Sequence, residues 1–225
     1  MTINIEGVPY TFTDRFTIKE WSQLVQWNFE DSKAWPQILH IATGAPVYYL
    51  QQADEEVLGI AIGIVIQTLD RRQPTSHLNF EELTFGQFVD LDVYVTLSID
   101  QHISQILELL EVTTEYSDEA QYVIEQYIKY RTFVYRQYKT LFGLDDSDFT
   151  EESKDSVADK MQVARNWYKV IVNLAQNDLT KMDEITDMPL KKVLNFMALQ
   201  KEYALEEERK RIEQKRHYDL QRNRR

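Results

Sequence analysis

The chain begins with alternating apolar and polar positions. Four apolar residues alternate with threonine or asparagine on either side of the turn-like segment Glu6-Gly7-Val8-Pro9: Ile3, Ile5, Tyr10 and Phe12. This period of two is typical of half-buried strands and predicts an N-terminal β-hairpin. Because a lone hairpin is only marginally stable in water, we expect it either to pack on the helices that follow or to add a strand to a partner's sheet.

From Thr17 onward the apolar residues recur at intervals of three or four, which is the spacing of one face of an α-helix. About eight such segments follow one another, and their predicted starts are Thr17, Trp35, Asp54, Thr84, Ser98, Ser117, Val157 and Pro189. The first is predicted to extend to Phe29, and the segment from Ser117 to Phe142. The pattern therefore predicts a mainly α, multi-helix bundle of about eight helices, with a small N-terminal β-hairpin and a long charged C-terminal helix.

Two polar segments divide this pattern. Residues 70–82 are polar and contain a proline, and residues 143–155 are acidic and begin with a glycine. We therefore predict an N-terminal hairpin with helices at 1–72, a central helical region at 83–142, and C-terminal helices with a basic tail at 156–225. The length suits assembly of these regions into one or two compact units.

The aromatic residues fit packing roles within the predicted helices. Tyr127, Tyr130 and Tyr138 fall on the apolar stripe of the segment from Ser117, which favours core or interface packing over stacking on bases or sugar rings. The four tryptophans receive the same interpretation: Trp21, Trp27, Trp35 and Trp167.

The most apolar run, Val57 to Ile66, is too short to cross a membrane. It has ten residues, about half of the ~20 that a bilayer requires. We predict a buried helix in which the Gly59 and Gly63 spacing allows close packing. The N-terminus has no basic stretch followed by an apolar one, so it does not resemble a secretory signal. We expect no membrane partner and an intracellular setting.

Composition removes several classes of chemistry. The chain has no cysteine, which excludes disulfide scaffolds, zinc-thiolate sites, iron–sulfur clusters and cysteine nucleophiles. It has 37 acidic against 25 basic residues and a net charge of −12. That balance argues against a protein that coats nucleic acid, since such domains are usually basic.

The metal-ligand residues show no recognised spacing. The four histidines, His40, His77, His102 and His217, form neither an i, i+4 pair nor an HExxH motif. The segment Asp145-Asp146-Ser147-Asp148 resembles the start of a calcium loop. Neither register supplies the glycine at the sixth position or the acidic residue at the twelfth. We therefore predict no metal site.

Catalytic motifs are also missing from the sequence. Asp90 and Asp92 are two apart and diverge on a helix, whereas Glu108 and Glu111 share a face with leucines. Such pairs are expected by chance among 37 acidic residues. No phosphate-binding glycine motif is present. We predict a protein that is not an enzyme and has no cofactor.

Charge is distributed unevenly along the chain. Residues 209–225 contain eight basic and two acidic residues, a local charge of +6, so residues 1–208 have −18. The tail is interpreted either as a solvated, frayed helix or a tail lying across its own acidic body, or as an arm that reaches an acidic partner or nucleic acid. In the second case nucleic-acid contact would be confined to the tail and depend strongly on salt. The candidate partner-binding residues are Arg209, Lys210, Arg211, Lys215 and Arg216.

Three segments together resemble a loose group of tailed-bacteriophage morphogenesis proteins. They are the opening INIEGVPYTFTDRFTIKEWSQL, the segment LTFGQFVDLDVYV at 83–95 followed by a helix containing ILELL, and the C-terminal PLKKVLNFMALQKEYALEEERKR. The layout is similar to small helical tail or baseplate assembly factors, and it covers most of the chain as a pattern. It transfers no functional residues, because LTFGQFVDLD carries no chemistry.

The resemblance implies a non-enzymatic protein that binds other phage structural or tail proteins during virion morphogenesis, in the cytoplasm of the host cell. It equally implies a structural component that stays in the virion. A third possibility is a packaging protein that contacts nucleic acid through its basic tail. We take the assembly protein as the leading hypothesis and the C-terminal helix as its partner contact.

Overall fold

The chain is mainly helical in the computed structural model, which describes residues 2–5, 7–75, 78–144 and 157–222. Two strands come first, β1 (Thr2–Ile5) and β2 (Val8–Thr11). The helices within the described residues are α1 (Ile18–Leu24), α2 (Trp35–Thr43), α3 (Val47–Leu50), α4 (Glu55–Leu69), α5 (Phe85–Leu97), α6 (Ile99–Leu109), α7 (Ser117–Gln137), α8 (Lys139–Phe142), α9 (Val157–Leu174), α10 (Thr180–Thr186) and α11 (Leu190–Arg222). A 3-10 turn, Phe80–Glu82, precedes α5. The predicted fold class is confirmed.

The helix count exceeds the prediction because three short helices, α3, α8 and α10, were not expected. The predicted helix from Ser117 is divided at Tyr138, whose backbone (φ −110°, ψ 30°) leaves the helical region before α8 begins. Thr17 caps α1 as predicted, accepting a hydrogen bond from the Glu20 backbone while the Glu20 side chain accepts from Thr17. However, α1 ends at Leu24 and not at Phe29.

The structure divides into two compact units, each built from two stretches of chain. The first unit contains Met1–Leu78 and Asp100–Tyr127, and the second contains Asn79–Ile99 and Ile128–Arg225. Helix α7 thus contributes its first part to one unit and its second part to the other. The acidic loop at 145–148 lies outside the described residues, as does His77.

In the first unit, the hairpin packs on helices of its own unit. Its strands pair antiparallel from Thr2 with Thr11 to Ile5 with Val8, so Val8 and Pro9 belong to β2 and not to the turn. Ile3 and Ile5 are 8% and 3% exposed and join a core that includes Leu58 and Ile62 of α4. Burial against helices supplies the stabilisation that an isolated hairpin lacks.

The apolar run in α4 supplies four of the fifteen buried residues of this core. Leu58, Ala61, Ile62 and Val65 are buried, which confirms the predicted buried helix. The Gly59 position lies against the Trp35 ring, since a Cβ there would meet the ring at 3.4 Å, whereas a Cβ at Gly63 would meet no atom within 4 Å. Close packing therefore explains only the first of the two glycines. No helix in the described residues combines the length and apolar character needed to span a bilayer.

Arg15 fastens the two stretches of the first unit together. Its guanidinium donates to both carboxylate oxygens of Asp118 at 2.7 and 2.6 Å and to Glu119 at 2.8 Å. It also lies 4.0 Å from the centre of the Tyr116 ring. Beside it, the Ile18 N–H donates to the Glu115 carbonyl at 2.9 Å. These contacts close a loop of about a hundred residues, so they fix long-range topology.

The second unit has a separate aromatic core. Phe85 and Phe88 of α5 contact the Trp167 ring edge-to-face, with ring centres 5.8 and 6.1 Å apart. Leu190, Val193 and Leu194 of α11 are buried in the same cluster. At the start of α5, the Phe85 N–H donates to the Met188 carbonyl at 2.8 Å. The segments that open α5 and α11 are therefore tied together by backbone hydrogen bonds.

The predicted packing of the aromatic residues is confirmed in part. Tyr127 and Tyr138 are buried, and Tyr130 is partly buried against the second core. Trp21 and Trp167 are buried and Trp35 is partly buried, but Trp27 is 40% exposed. Trp27 is therefore not a core residue, because α1 ends before it and leaves it in an irregular segment; its packing at an interface stays a prediction.

Candidate functional site

All five predicted partner-binding residues lie on α11. This helix has 33 residues and is about 50 Å long at 1.5 Å per residue. Its first turns are buried, with Leu190, Val193 and Leu194 at 1%, 4% and 0% exposed. The packed part extends to Lys201, whose Nζ donates to the Leu141 carbonyl at 2.9 Å. Every residue from 202 to 217 is exposed, and we call residues 202–217 the arm.

The helical state of the arm follows from its sequence and its attachment. It contains no glycine or proline and consists largely of Glu, Lys, Arg, Gln, Ala and Leu, which are strong helix formers. Because the arm extends an already packed helix, it adds turns without the nucleation step that limits isolated helices. A salt bridge of 2.8 Å joins Lys210 to Glu206, four residues apart. Such pairs stabilise exposed helices only weakly, because solvent screens the two charges.

The arm has an acidic half followed by a basic half. The acidic residues Glu202, Glu206, Glu207 and Glu208 come first, and the five predicted cations follow with Glu213 among them. Arg209, Lys210 and Arg211 are consecutive, so at about 100° per residue they spread around the helix. The basic half is therefore a band around the helix with a charge of +4, from five cations and one carboxylate.

The cations of this band differ in their partners. Lys210 pairs with Glu206, and Arg211 lies 3.8 Å from Glu208. The hydrogen bond from Lys210 lowers the pKa of Glu206 and raises the pKa of Lys210 itself. Arg209, Lys215 and Arg216 form no ion pair with any side chain in the described part of the chain. Guanidinium groups offer a planar fork of donors that matches carboxylates and phosphates, so the band can bind an anionic surface.

Apolar side chains accompany the charges. Leu205 and Ile212 are 43% and 44% exposed. Their spacing of seven residues places them on the same face of the helix, together with Ala198 in the packed part. Tyr203, 54% exposed, lies on another face. A partner helix or groove could thus bury an apolar strip on the arm while its charges contact the rim.

The residues considered for metal binding do not converge. The Nδ1 atom of His40 lies 2.8 Å from the Ala45 carbonyl at the end of α2. His102 lies within α6 and His217 within the arm. Within the described ranges, no group of three or more His, Cys, Asp or Glu residues is placed to hold a metal ion.

The paired carboxylates considered for catalysis are not pairs. Asp92 is fully buried and Asp90 is exposed. Helix α6 ends at Leu109, and Glu111 has a left-handed backbone (φ 55°). The expectation that Glu108 and Glu111 share a helix face was therefore wrong, because the helix stops before the second residue.

Asp92 is instead the polar centre of the second unit, and the sequence reasoning missed this role. It accepts from Arg131 Nε at 2.5 Å, from Trp167 Nε1 at 2.7 Å and from Tyr135 Oη at 3.0 Å. Burial and the neighbouring carboxylate raise the pKa of Tyr135, so its hydroxyl stays a donor. With its oxygens occupied by three donors, Asp92 acts as a structural centre and is closed to a substrate.

A signal for this cluster was present in the sequence. Phe88, Asp92 and Val95 follow the four-three spacing of a buried stripe, so an aspartate occupies a position where the period predicts an apolar residue. A buried carboxylate needs donors. Arg131 and Tyr135, four apart on α7, satisfy that need, but their proximity to α5 could not be deduced from spacing.

No protein-family model, curated protein or solved structure matches this chain.

Proposed function

We propose that this chain is a non-enzymatic assembly protein of a tailed-bacteriophage tail or baseplate, and that its arm binds another virion protein during morphogenesis. The observation that carries the proposal is the exposure of the whole arm. Sixteen consecutive residues of a helix contact no core, although each of the two units has a core of its own. A helix extended in this way serves binding better than stability.

The charge pattern supports an acidic partner surface. Three of the five cations form no ion pair with a carboxylate of the described residues, and rim charges of this kind mainly accelerate association and select partners. Leu205 and Ile212 form an apolar strip, and burying this strip against a partner would add to the attraction between charges. The phage setting is supported by the resemblance of the three quoted segments to tail and baseplate assembly factors.

A deletion tests this proposal directly. Removing residues 204–225 should abolish capture of the tail and baseplate proteins encoded beside this gene, each purified and tested singly. The circular dichroism of the rest should keep its helical signal and its unfolding transition, because residues 204–217 are all exposed and belong to neither core. Capture that survives the deletion would contradict the proposal, as would failure of the intact chain to capture any of these proteins.

Two further measurements separate the alternatives. Mass spectrometry of purified particles should find the chain absent if it acts transiently, and present at a fixed copy number if it is a structural component. A salt titration of binding to duplex DNA should show no binding at low ionic strength, because a body charge of −18 repels a duplex. Tight DNA binding through the arm would favour the packaging role.

A further inference from the structure

The two edges of the N-terminal hairpin are not equivalent. In the register of the hairpin, Asn4 lies opposite Pro9. Because proline has no N–H, this pair takes the position in which neither residue donates across the strands. Asn4 and Thr2 therefore direct their N–H and C=O groups away from β2, to the outer edge of β1. The outer edge of β2 contains Pro9, which blocks it from donating to another strand.

In the part of the chain that the structure describes, no strand pairs with the outer edge of β1. This edge borders an apolar groove. The groove has a volume of about 250 Å³ and lies between β1 and α4, with its apolar walls formed by Ile3, Phe12, Val57, Ile60, Ala61 and Ile64. Ile60 and Val57 are 64% and 40% exposed, which is unusual for neighbours on a helix whose other face is core. The groove thus combines unpaired strand hydrogen-bonding groups with an apolar floor.

We infer that this groove binds an extended segment of a partner protein, which adds to β1 as a third strand. The Asn4 and Thr2 backbone groups would pair with the segment. Every second side chain of the segment would then face α4, since side chains alternate across a strand. A segment with apolar residues at alternate positions fits both the hydrogen-bonding edge and the floor. The inference does not depend on the function proposed for the arm.

A second copy of this chain fits the groove less well. Its own β1 would have to lay apolar side chains on Val57 and Ile60. The inward side chains of β1, Ile3 and Ile5, are already buried in their own core. They would therefore bring no apolar side chain to the groove of another molecule without leaving that core. The proposed occupant is a separate extended segment, which can supply such side chains.

Two substitutions test the two parts of the site, the hydrogen-bonding edge of β1 and the apolar floor on α4. Asn4→Pro deletes the outward N–H of β1, which the hairpin itself does not use, and leaves the β conformation available to the preceding residue. Ile60→Asp places a charge on the groove floor at an exposed position that tolerates it. Ile66→Asp is the matched control, because Ile66 is a 39% exposed residue of the same helix that does not line the groove.

The probe is a displayed library of random peptides of about ten residues, the upper range of strand length. Selected on the intact chain, it should yield peptides with apolar residues at alternate positions. Synthesised and measured by fluorescence anisotropy, these should bind Asn4→Pro and Ile60→Asp at least about tenfold more weakly, the loss expected for removing a central anchor. Binding should be unchanged for Ile66→Asp and for the chain lacking residues 204–225.

Residue-level hydrogen exchange provides a readout that does not depend on variants. Binding of the selected peptide to the wild-type chain should slow exchange of the Asn4 amide, while the Ile3 and Ile5 amides already pair with β2. An Asn4 amide that is unaffected would overturn the inference. A library without enrichment, equal binding by Asn4→Pro, or sedimentation showing that the groove closes by self-association would do the same.

Discussion

Asp92 and Arg15 are each the centre of a group of side-chain hydrogen bonds within their own unit. Asp92 is fully buried and accepts from three donors, two on α7 and one on α9. Arg15 is about one-third exposed and joins segments more than a hundred positions apart. Asp92 therefore contributes to stability as a buried acceptor, and Arg15 contributes by joining two segments that are distant in sequence.

Substitution of Asp92 should be among the most damaging single changes. Asp92→Ala leaves the Arg131, Tyr135 and Trp167 donors without their acceptor inside the core. Because breaking a buried charge pair costs about 3–5 kcal/mol, we expect a loss of that size in the free energy of unfolding. Urea unfolding followed by circular dichroism measures it. Asp90→Ala is the control, with an expected change within about 0.5 kcal/mol; equal effects of the two substitutions would disprove the structural role.

The Arg15 clamp should make the stability of the first unit depend on pH. Burial opposes ionisation of Asp118, but the hydrogen bonds from Arg15 outweigh it and the pKa lies below its ordinary 3.8. Hydrogen bonds from Thr114 and then Arg15 likewise lower the pKa of Glu119 below 4.5. Both carboxyls therefore stabilise the fold fully at neutral pH, and this contribution is lost as pH falls through the lowered values.

Arg15→Met should reduce the free energy of unfolding at pH 7 by about 1.5–3 kcal/mol, the range for hydrogen bonds to charged groups. The difference from wild type should shrink as pH falls from about 5 to 3, because the carboxyls become protonated in both proteins. Arg72→Met removes a more exposed ion pair with Glu125 and should cost less than about 1 kcal/mol. Denaturant titrations at several pH values measure both. A difference independent of pH would contradict the clamp.

Among the helices, the tightest contact at a glycine lies at Gly86. A Cβ on Gly86 of α5 would lie 2.9 Å from the Thr186 Cβ and 3.2 Å from the Thr186 carbonyl oxygen. The neighbouring atoms include backbone at the end of α10, which cannot move aside as a side chain can. The short α10, which the sequence pattern did not predict, is therefore held close to the start of α5.

Two glycine-to-alanine substitutions should change the free energy of unfolding in opposite directions. Gly86→Ala should destabilise the chain by about 1–3 kcal/mol, the cost of overpacking. Gly63→Ala, within α4, meets no atom within 4 Å. It should stabilise the chain by about 0.5–1 kcal/mol through helix propensity. Thermal or urea unfolding of the two variants measures both effects. A stabilising effect of Gly86→Ala would refute the close approach of Gly86 to Thr186.

For the molecule as a whole, local patterns predicted the hairpin and eight of the eleven described helices, but they could not predict how these elements group into units. Alternation around Ile3 and Ile5 gave the hairpin, and the run Val57 to Ile66 gave a buried helix. The assignment of residues 79–99 to the second unit and 100–127 to the first depends on contacts such as Arg15 with Asp118 and Asp92 with Trp167. No periodicity encodes such contacts between residues that are distant in sequence.

The candidate site was predictable to a similar extent. The charge asymmetry of the sequence identified the five cations of the arm, and the end of packing at Lys201 gave the arm its boundary. The groove beside β1 was not predictable, because it requires the exposed residues of α4 to lie next to the free strand edge. The spacing of residues in the sequence predicts which side of a helix or strand they lie on, but not which other element packs against that side.

The central claim is that the basic band of the arm captures a partner. It is tested most directly by comparing two variants of the arm in which charged residues of one sign are replaced by the neutral residue glutamine. One replaces Arg209, Lys210, Arg211, Lys215 and Arg216 by Gln, and the other replaces Glu202, Glu206, Glu207 and Glu208 by Gln, a residue of similar helix propensity. The measurement is the affinity of each for the tail or baseplate protein captured by the wild-type chain, as a function of salt.

We predict that loss of the five cations weakens binding at least about tenfold and flattens its salt dependence, since a tenfold change corresponds to about 1.4 kcal/mol. Loss of the four glutamates should leave binding equal or stronger, because the acidic half contributes no attraction to an acidic surface. Equal affinity of the cation-free variant and the wild type would contradict the claim.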